Sequence, residues 1–280
     1  MSGTLHVVAT PIGNLGDITL RAIETLRAVD RVLAEDTRRT LALLSHLGVS
    51  GKPVDRLDAH APAEVVERAV GRLLAGESLA LVTDAGTPVV SDPGTALVRA
   101  AAARGVRVVP IPGASAVLAA VCASGLVTGA FRFVGFLPRG GPERREALER
   151  VASTPEPVVL FESPERVAGT LRDLAAISPE RAVAVARELT KLHEEIVRGT
   201  AGELAEDTRE WIGELTLVLG EAAAQAEARV DDAEIDRRID EALASHRRAR
   251  DIAEELALVL RLPRKELYSR VVQRREKARR

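Results

Sequence analysis

The most constraining feature of this chain is the way short apolar runs and helical stretches take turns along it. Leu5–Thr10 reads as a buried strand, and Leu20, Ile23 and Leu26 behind it recur at the spacing of one helix face. Arg31–Ala34 and Leu79–Thr83 read as strands. Ala96–Ala103 reads as a helix that stops at Gly105, and Val106–Val109 as the next strand. Such alternation predicts helices layered on a largely parallel sheet. A second α/β set follows. Its helices are Ser115–Ala123 and Arg166–Ala176, and its strands Phe131–Gly135, Val158–Phe161, Ala182–Ala186 and Leu215–Leu219. Arg139-Gly140-Gly141-Pro142 reads as an exposed loop between them.

The last 50 or so residues follow a helical period only. Ile235, Ile239 and Leu243 share one face. Ala249, Ile252, Ala253, Leu256, Val259 and Leu260 mark a second helix, Pro263 breaks it, and Leu267 and Val271 begin a third. The expected organisation is an N-terminal α/β domain over 1–112, a second over 113–222 and a small helical module over 229–280. Ala222–Ala226 reads as the linker before the module.

Charge sets the module apart. Residues 242–280 carry 12 Lys+Arg against 5 Asp+Glu, a net +7, whereas the whole chain is −2. A basic tail on an acidic body fits contact with a polyanion, with a solvated tail as the alternative; for the helical module, the alternative to RNA binding is a helical cap or dimer arm. Aromatic residues make up only 2% of the chain, so nucleic-acid contact by base stacking is disfavoured and charge and shape must carry it. Cys122 is the single cysteine. It excludes an internal disulfide, favours a reducing cytoplasm, and is expected in the core of an apolar helix. The first strand begins by Leu5, which leaves no room before it for a signal peptide.

Several chemistries are disfavoured. The first strand runs into Pro11-Ile12-Gly13-Asn14 and not into G-x-G-x-x-G. There is no G-x-x-x-x-G-K-[ST] phosphate loop and no G-x-S-x-G elbow, and His6, His46, His60, His193 and His246 are scattered. What remains is a set of strand ends rich in Gly and Pro: Thr10–Asn14, Asp84–Gly94 and Pro110–Ser115. In a parallel α/β sheet, ligands bind beyond the carboxyl ends of strands. Glycine lets backbone approach a ligand, proline holds the loop, and Asp84 and Asp92 can accept hydrogen bonds from it. Three such loops together predict one ligand site.

These loops and others resemble the ribosomal RNA small-subunit methyltransferase I family, 16S rRNA cytidine 2′-O-methyltransferases within the tetrapyrrole methylase superfamily. The resemblance runs through Thr10-Pro11-Ile12-Gly13-Asn14-Leu15-Gly16-Asp17, Glu35-Asp36-Thr37-Arg38-Arg39-Thr40, Asp84–Gly94 and Pro112-Gly113-Ala114-Ser115-Ala116. It continues in Gly135-Phe136-Leu137-Pro138, Phe161-Glu162-Ser163-Pro164, Arg187–Glu195 and Gly213-Glu214-Leu215-Thr216. It covers residues 4 to about 220, and Leu256–Tyr268 resembles the family's C-terminal region less specifically. Glu165 stands where the family usually has His, and Asp58-Ala59-His60-Ala61-Pro62 replaces a His-Glu-His-Asn-Glu-like segment.

The resemblance implies two α/β domains of tetrapyrrole-methylase type, with S-adenosylmethionine in the cleft between them. The donor site would draw on Pro11, on Asp84, Gly86, Thr87, Ser91, Asp92 and Gly94, on Gly113, Ala114 and Ser115, and on Phe161, Glu162, Leu215 and Thr216. The acceptor would be a cytidine ribose in the decoding region of 16S rRNA, and the enzyme a homodimer. Two alternatives are a small-molecule methyltransferase of tetrapyrrole type and a non-catalytic RNA-binding assembly protein.

Arg38 and Arg39 are expected on RNA phosphates, oriented by Glu35 and Asp36; an ion-paired helix start is the alternative. Arg187 joins them as a substrate-binding candidate. Lys191 is one of only four lysines in the chain, against 35 arginines. Neutral Lys191, Glu188 or Glu194 could take the hydroxyl proton, and protonated Lys191 could instead stabilise the oxyanion. His60 and His193 are expected to be structural or surface residues rather than catalytic ones, and the reaction requires no metal.

Overall fold

The computed structural model describes residues 2–222, 232–244, 248–260 and 264–277. Two compact units are present, Met1–Ala222 and Ala223–Arg280.

The first sheet contains β1 (Thr4–Val8), β2 (Arg31–Ala34), β3 (Val54–Arg56), β4 (Leu79–Leu81) and β5 (Arg107–Ile111), in the order β3-β2-β4-β1-β5. Every pairing in it is parallel. Side chains alternate across the pleat, so one strand feeds two cores. Leu79 and Leu81 pack on one face with α3 (Ala63–Leu74) and α4 (Thr95–Ala103). Ala80 and Val82 pack on the other with α1 (Leu20–Ala28) and α2 (Thr37–His46). Two-sided burial is why the strands of this sheet read as continuous apolar runs. The short edge strand β3 lacks that run and is not legible in the sequence.

After β5 the chain enters α5 (Ala116–Ser124), capped by the Ser115 hydroxyl accepting from Leu118 N. The second sheet follows, with β6 (Arg132–Phe136), β7 (Val158–Glu162), β8 (Ala182–Arg187), β9 (Glu195–Thr200) and β10 (Leu215–Leu219) in the order β6-β7-β10-β8-β9. Only β6–β7 is parallel; β7–β10, β10–β8 and β8–β9 are antiparallel. One face packs α6 (Gly141–Ser153), α7 (Pro164–Ile177) and α8 (Ala201–Ala205). The other packs α5 and, from the first sheet's side, Ile12. The two sheets therefore meet at the loop that follows β1.

Cys122 corrects one expectation, since it is exposed and not in the core. Helix α5 is apolar on nearly every side, and Leu118 on it is also 56% exposed. In such a helix periodicity gives no sign of which residue faces outward.

The second unit contains α9 (Asp232–Ala244), α10 (Ala249–Leu260) and α11 (Arg264–Lys277). Ile235, Ile239, Ile252, Ala253, Leu256, Leu267 and Val271 form its core, as the helical period predicts. Pro263, residues 223–226 of the expected linker and the side chains of Val259 and Leu260 lie outside the described residues. Some of the arginines are satisfied within the unit, Arg270 by Asp236 at 2.7 Å and Arg264 by Glu254 at 3.1 Å.

Candidate active site

The carboxyl ends of β1 and β4 are neighbours in the sheet, and their loops are tied together. Thr10 N donates to Gly86 O at 2.8 Å and Gly86 N to Thr10 O at 3.1 Å, while the Thr10 hydroxyl donates to Thr83 O at 3.1 Å. Gly86 has φ +85, and a Cβ there would meet Ile12 Cγ2 at 3.2 Å, so glycine is needed for the backbone and for the approach. The third loop joins through the Thr87 hydroxyl, which donates to Ala114 O at 3.2 Å. Val89 and Ser91 take left-handed backbone, φ 75 and 63. Side-chain-bearing residues hold that conformation only where surroundings enforce it, and such strain gathers at functional sites.

The facing wall comes from the second sheet. Glu162 is 2% exposed: its carboxylate accepts from Ser163 N at 2.9 Å and the Thr170 hydroxyl at 2.7 Å, and Arg166 Nε lies 3.2 Å away. Arg166 in turn donates to Leu137 O at 2.8 Å, and Arg144 to Pro138 O at 3.3 Å. This buried cluster fixes the Phe136-Leu137-Pro138 turn at the end of β6. It holds the Phe136 ring, 59% exposed, against Phe161 at a centroid distance of 5.4 Å. A Cβ on Gly135 would lie 2.7 Å from Ser91 Oγ, so glycine there lets the two walls touch.

Between the walls is a cleft of about 430 Å³. Asp84, Gly86, Thr87, Ser91, Asp92, Ser115, Phe161, Glu162, Leu215 and Thr216 all line it, and Arg39 borders it. A second pocket of about 410 Å³ opens beside it, bounded by Pro11, Gly13, Thr40, His46 and Lys191. The two share Ile12, Arg39, Asp84, Ala85 and Glu214.

The walls differ in charge. On the first-sheet side Glu35 accepts from the Thr83 hydroxyl at 3.1 Å, and Asp84 accepts from Asp36 N at 3.0 Å and pairs with Arg39 at 3.4 Å. Burial pushes the Asp92 carboxyl up to about 6, and the charges of Glu35 and Asp84 add to it against a Thr83 hydrogen bond. On the other side Lys191 Nζ reaches Glu188 at 2.8 Å and Glu214 at 3.2 Å. Burial alone would lower Lys191; its bonds to Glu188 and Glu214 outweigh that and raise it. The Lys191 hydrogen bond, with one from Glu214 N, holds Glu188 below its ordinary range. A neutral Lys191 and a basic Glu188 are both disfavoured by this arrangement. Glu188 and Thr190 are also left-handed, φ 50 and 68, and a Cβ on Gly13 would lie 2.5 Å from Lys191 Cγ.

Not every predicted residue joins the cleft. Pro11 lines the second pocket, and Gly94 a third beside Asp92. Ala114 takes part through its carbonyl. Gly113 lies outside the lining: a Cβ there would meet Ala9 Cβ at 3.0 Å, so its glycine is explained by packing. Glu162 lines the cleft, and its carboxylate also holds the turn beside it. Asp36 caps α2 and pairs with Arg38 at 3.0 Å; Arg38 borders another pocket with Arg56 and His60, and Arg39 borders the cleft. Arg187 pairs with Glu195 at 3.4 Å and Glu194 accepts from Thr190 N at 2.5 Å; neither lines the two pockets. His60 and His193 are exposed. Ile12, Phe136 and Glu214 also line the cleft; none is expected there from sequence, although each lies inside a family motif. Among the described residues, no group of three or more His, Cys, Asp or Glu is arranged to hold a metal ion.

Comparison with known proteins places this geometry. The profile of the tetrapyrrole (corrin/porphyrin) methylases matches residues 4–205. The chain is 45% identical over 271 residues to the ribosomal RNA small subunit methyltransferase I of Xylella fastidiosa, covering 95% of this chain and 98% of the relative. It is 40% identical over 272 residues to the protein of that name from Halalkalibacterium halodurans, covering 95% and 94%. Among solved structures, uroporphyrin-III C-methyl transferase from Thermus thermophilus complexed with S-adenyl homocysteine superposes with a TM-score of 0.55. The match has 22% identity and covers 79% of this chain and 98% of that one. At that identity the likeness shows the fold.

Proposed function

Because the chain belongs to the tetrapyrrole methylases and, more narrowly, to the ribosomal RNA small subunit methyltransferase I family, we propose that it methylates the ribose 2′-hydroxyl of a cytidine in the decoding region of 16S rRNA. The methyl donor is S-adenosylmethionine, and the enzyme works in the cytoplasm as a homodimer. The exposed apolar side of α5 supports the dimer. One observation carries the reading: two contiguous pockets, one walled by carboxylates, the other bordered by a fixed ammonium.

The donor chemistry fits the cleft. Carboxylates of Asp84 and Asp92 favour a cationic ligand, Phe136 and Phe161 offer a flat apolar face for an adenine, and the Gly86 turn allows close backbone approach. When bound, S-adenosylmethionine supplies an electrophilic methyl group on a positively charged sulfur.

The chain's own task is alignment, which contributes about 7–11 kcal/mol in favourable cases. Arg39 holds the acceptor nucleotide beside the shared wall of Ile12 and Ala85. Lys191 stays protonated and steadies the negative charge that grows on the 2′-oxygen. The hydroxyl proton passes to Glu214, whose side chain is 72% exposed and borders both pockets, and from there to water. The basic C-terminal unit adds phosphate contacts that bring the small subunit to the site.

The test is methyl transfer from labelled donor to 30S subunits lacking the modification, followed by nucleoside analysis. The expected product is a 2′-O-methylcytidine. A base-methylated nucleoside, or no transfer to RNA by protein that binds the donor, overturns the reading.

A further inference from the structure

The second pocket, about 410 Å³, has room for a single nucleotide and not for one still stacked between its neighbours in a folded RNA. The target nucleotide must therefore leave its stack, and something must hold open the place it leaves. Proteins that unstack bases do so with apolar side chains pushed between base steps. Such a side chain has to be large, exposed, rigidly mounted and next to the acceptor pocket.

Leu192 meets those conditions. It is 92% exposed, more than any other large apolar side chain described. It sits at the tip of a turn closed by Lys191 N to Glu188 O at 3.0 Å, Glu194 N to Lys191 O at 3.1 Å and Thr190 N to the Glu194 carboxylate at 2.5 Å. The left-handed Glu188 and Thr190 frame the turn, and the close approach of Lys191 to Gly13 seats it on the loop after β1. The neighbouring residue Lys191 borders the second pocket, and Glu214, paired with Lys191, borders both. With aromatics at 2% of the chain, an aliphatic wedge is the apolar device this protein has for the purpose.

We propose that the second pocket, beside the donor cleft, receives the target nucleotide swung out of the RNA, and that Leu192 is the positioning residue that fills the stack it vacates. The inference rests on RNA being the acceptor. It adds where the nucleotide lies and what releases it.

The experiment is single-turnover transfer to 30S subunits at saturating enzyme and donor, with donor affinity measured by calorimetry in parallel. Leu192→Ala should slow transfer about tenfold or more, because unstacking is left unassisted. Leu192→Met, of similar bulk, should keep most of the rate. Ala42→Trp, which fills the second pocket from α2, should abolish transfer. All three should bind S-adenosylmethionine as the wild type does. A wild-type rate for Leu192→Ala, or equal losses for Ala and Met, overturns the wedge. A wild-type rate for Ala42→Trp overturns the pocket. Wild-type protein that binds donor yet leaves the RNA unmethylated overturns the acceptor reading beneath both.

Discussion

The loop Asp84–Gly94 and the loop Arg187–Glu195 both reach the second pocket, through Asp84 and Lys191, and share one unusual feature. Each holds two residues with side chains in left-handed backbone: Val89 and Ser91 in one, Glu188 and Thr190 in the other. Their electrostatics are opposite. The first crowds Asp84 and Asp92 near Glu35, and Asp92 is raised to about 6. The second neutralises its acid with Lys191, so that Glu188 is lowered and Lys191 raised. Left-handed backbone in both loops marks each as held to a fixed geometry, and the unequal charge is what the proposed function asks of them, one to receive a cation and the other to meet a developing anion.

The sharpest way to break that comparison is to remove the ammonium. Lys191→Ala should lower the single-turnover rate by about 10²–10⁴-fold with little change in either ligand's affinity. A rate near normal would leave the second loop without a chemical role. Removing a charge from the other loop should act on binding. Asp92→Asn should weaken the donor about tenfold, the effect of one interaction of ~1.4 kcal/mol. It should also raise the melting temperature at neutral pH. Because burial raises the folded carboxyl to about 6 from the ordinary 3.8, Asp92 costs stability progressively as pH rises between those values, and the full cost stays constant above them. The variant's stability should lack that fall. Identical melting profiles for wild type and variant would show that Asp92 is not strained. The smallest effect is expected away from both loops. Deleting residues 229–280 should leave donor binding intact and make the slope of log RNA affinity against log salt shallower by roughly 1 or more. Equal slopes would show that the basic unit makes no phosphate contact.

Much of this was legible in the chain, for local reasons. Arg31–Ala34 and Leu215–Leu219 are strands at the bounds the sequence marks, because their apolar residues are buried on both faces and the single polar residue in each, Arg31 and Thr216, does not break the run. The loops rich in Gly and Pro do converge, since parallel strands deliver their carboxyl ends to one edge. What stayed hidden depends on partners distant in sequence. Nothing in Val158–Glu162 or Leu215–Leu219 announces that they pair antiparallel. Glu195–Thr200 is a half-exposed edge strand whose sequence carries no apolar run. Glycine is ambiguous by nature: Gly86 serves the turn at the cleft, whereas Gly113 answers only to Ala9. Lys191 stood out by rarity, but its charge state follows from Glu188 and Glu214, which only the fold brings to it.

That charge state is the centre of the account, and it can be read directly. The chain has four lysines, Lys52, Lys191, Lys265 and Lys277. Lysine-labelled protein should therefore give few side-chain resonances, and Lys191→Arg would assign the one that matters. An NMR pH titration of the labelled ammonium groups should find Lys191 still protonated beyond the ordinary lysine value of 10.5. Deprotonation of Lys191 near neutral pH would contradict the account and return this residue to the role of general base.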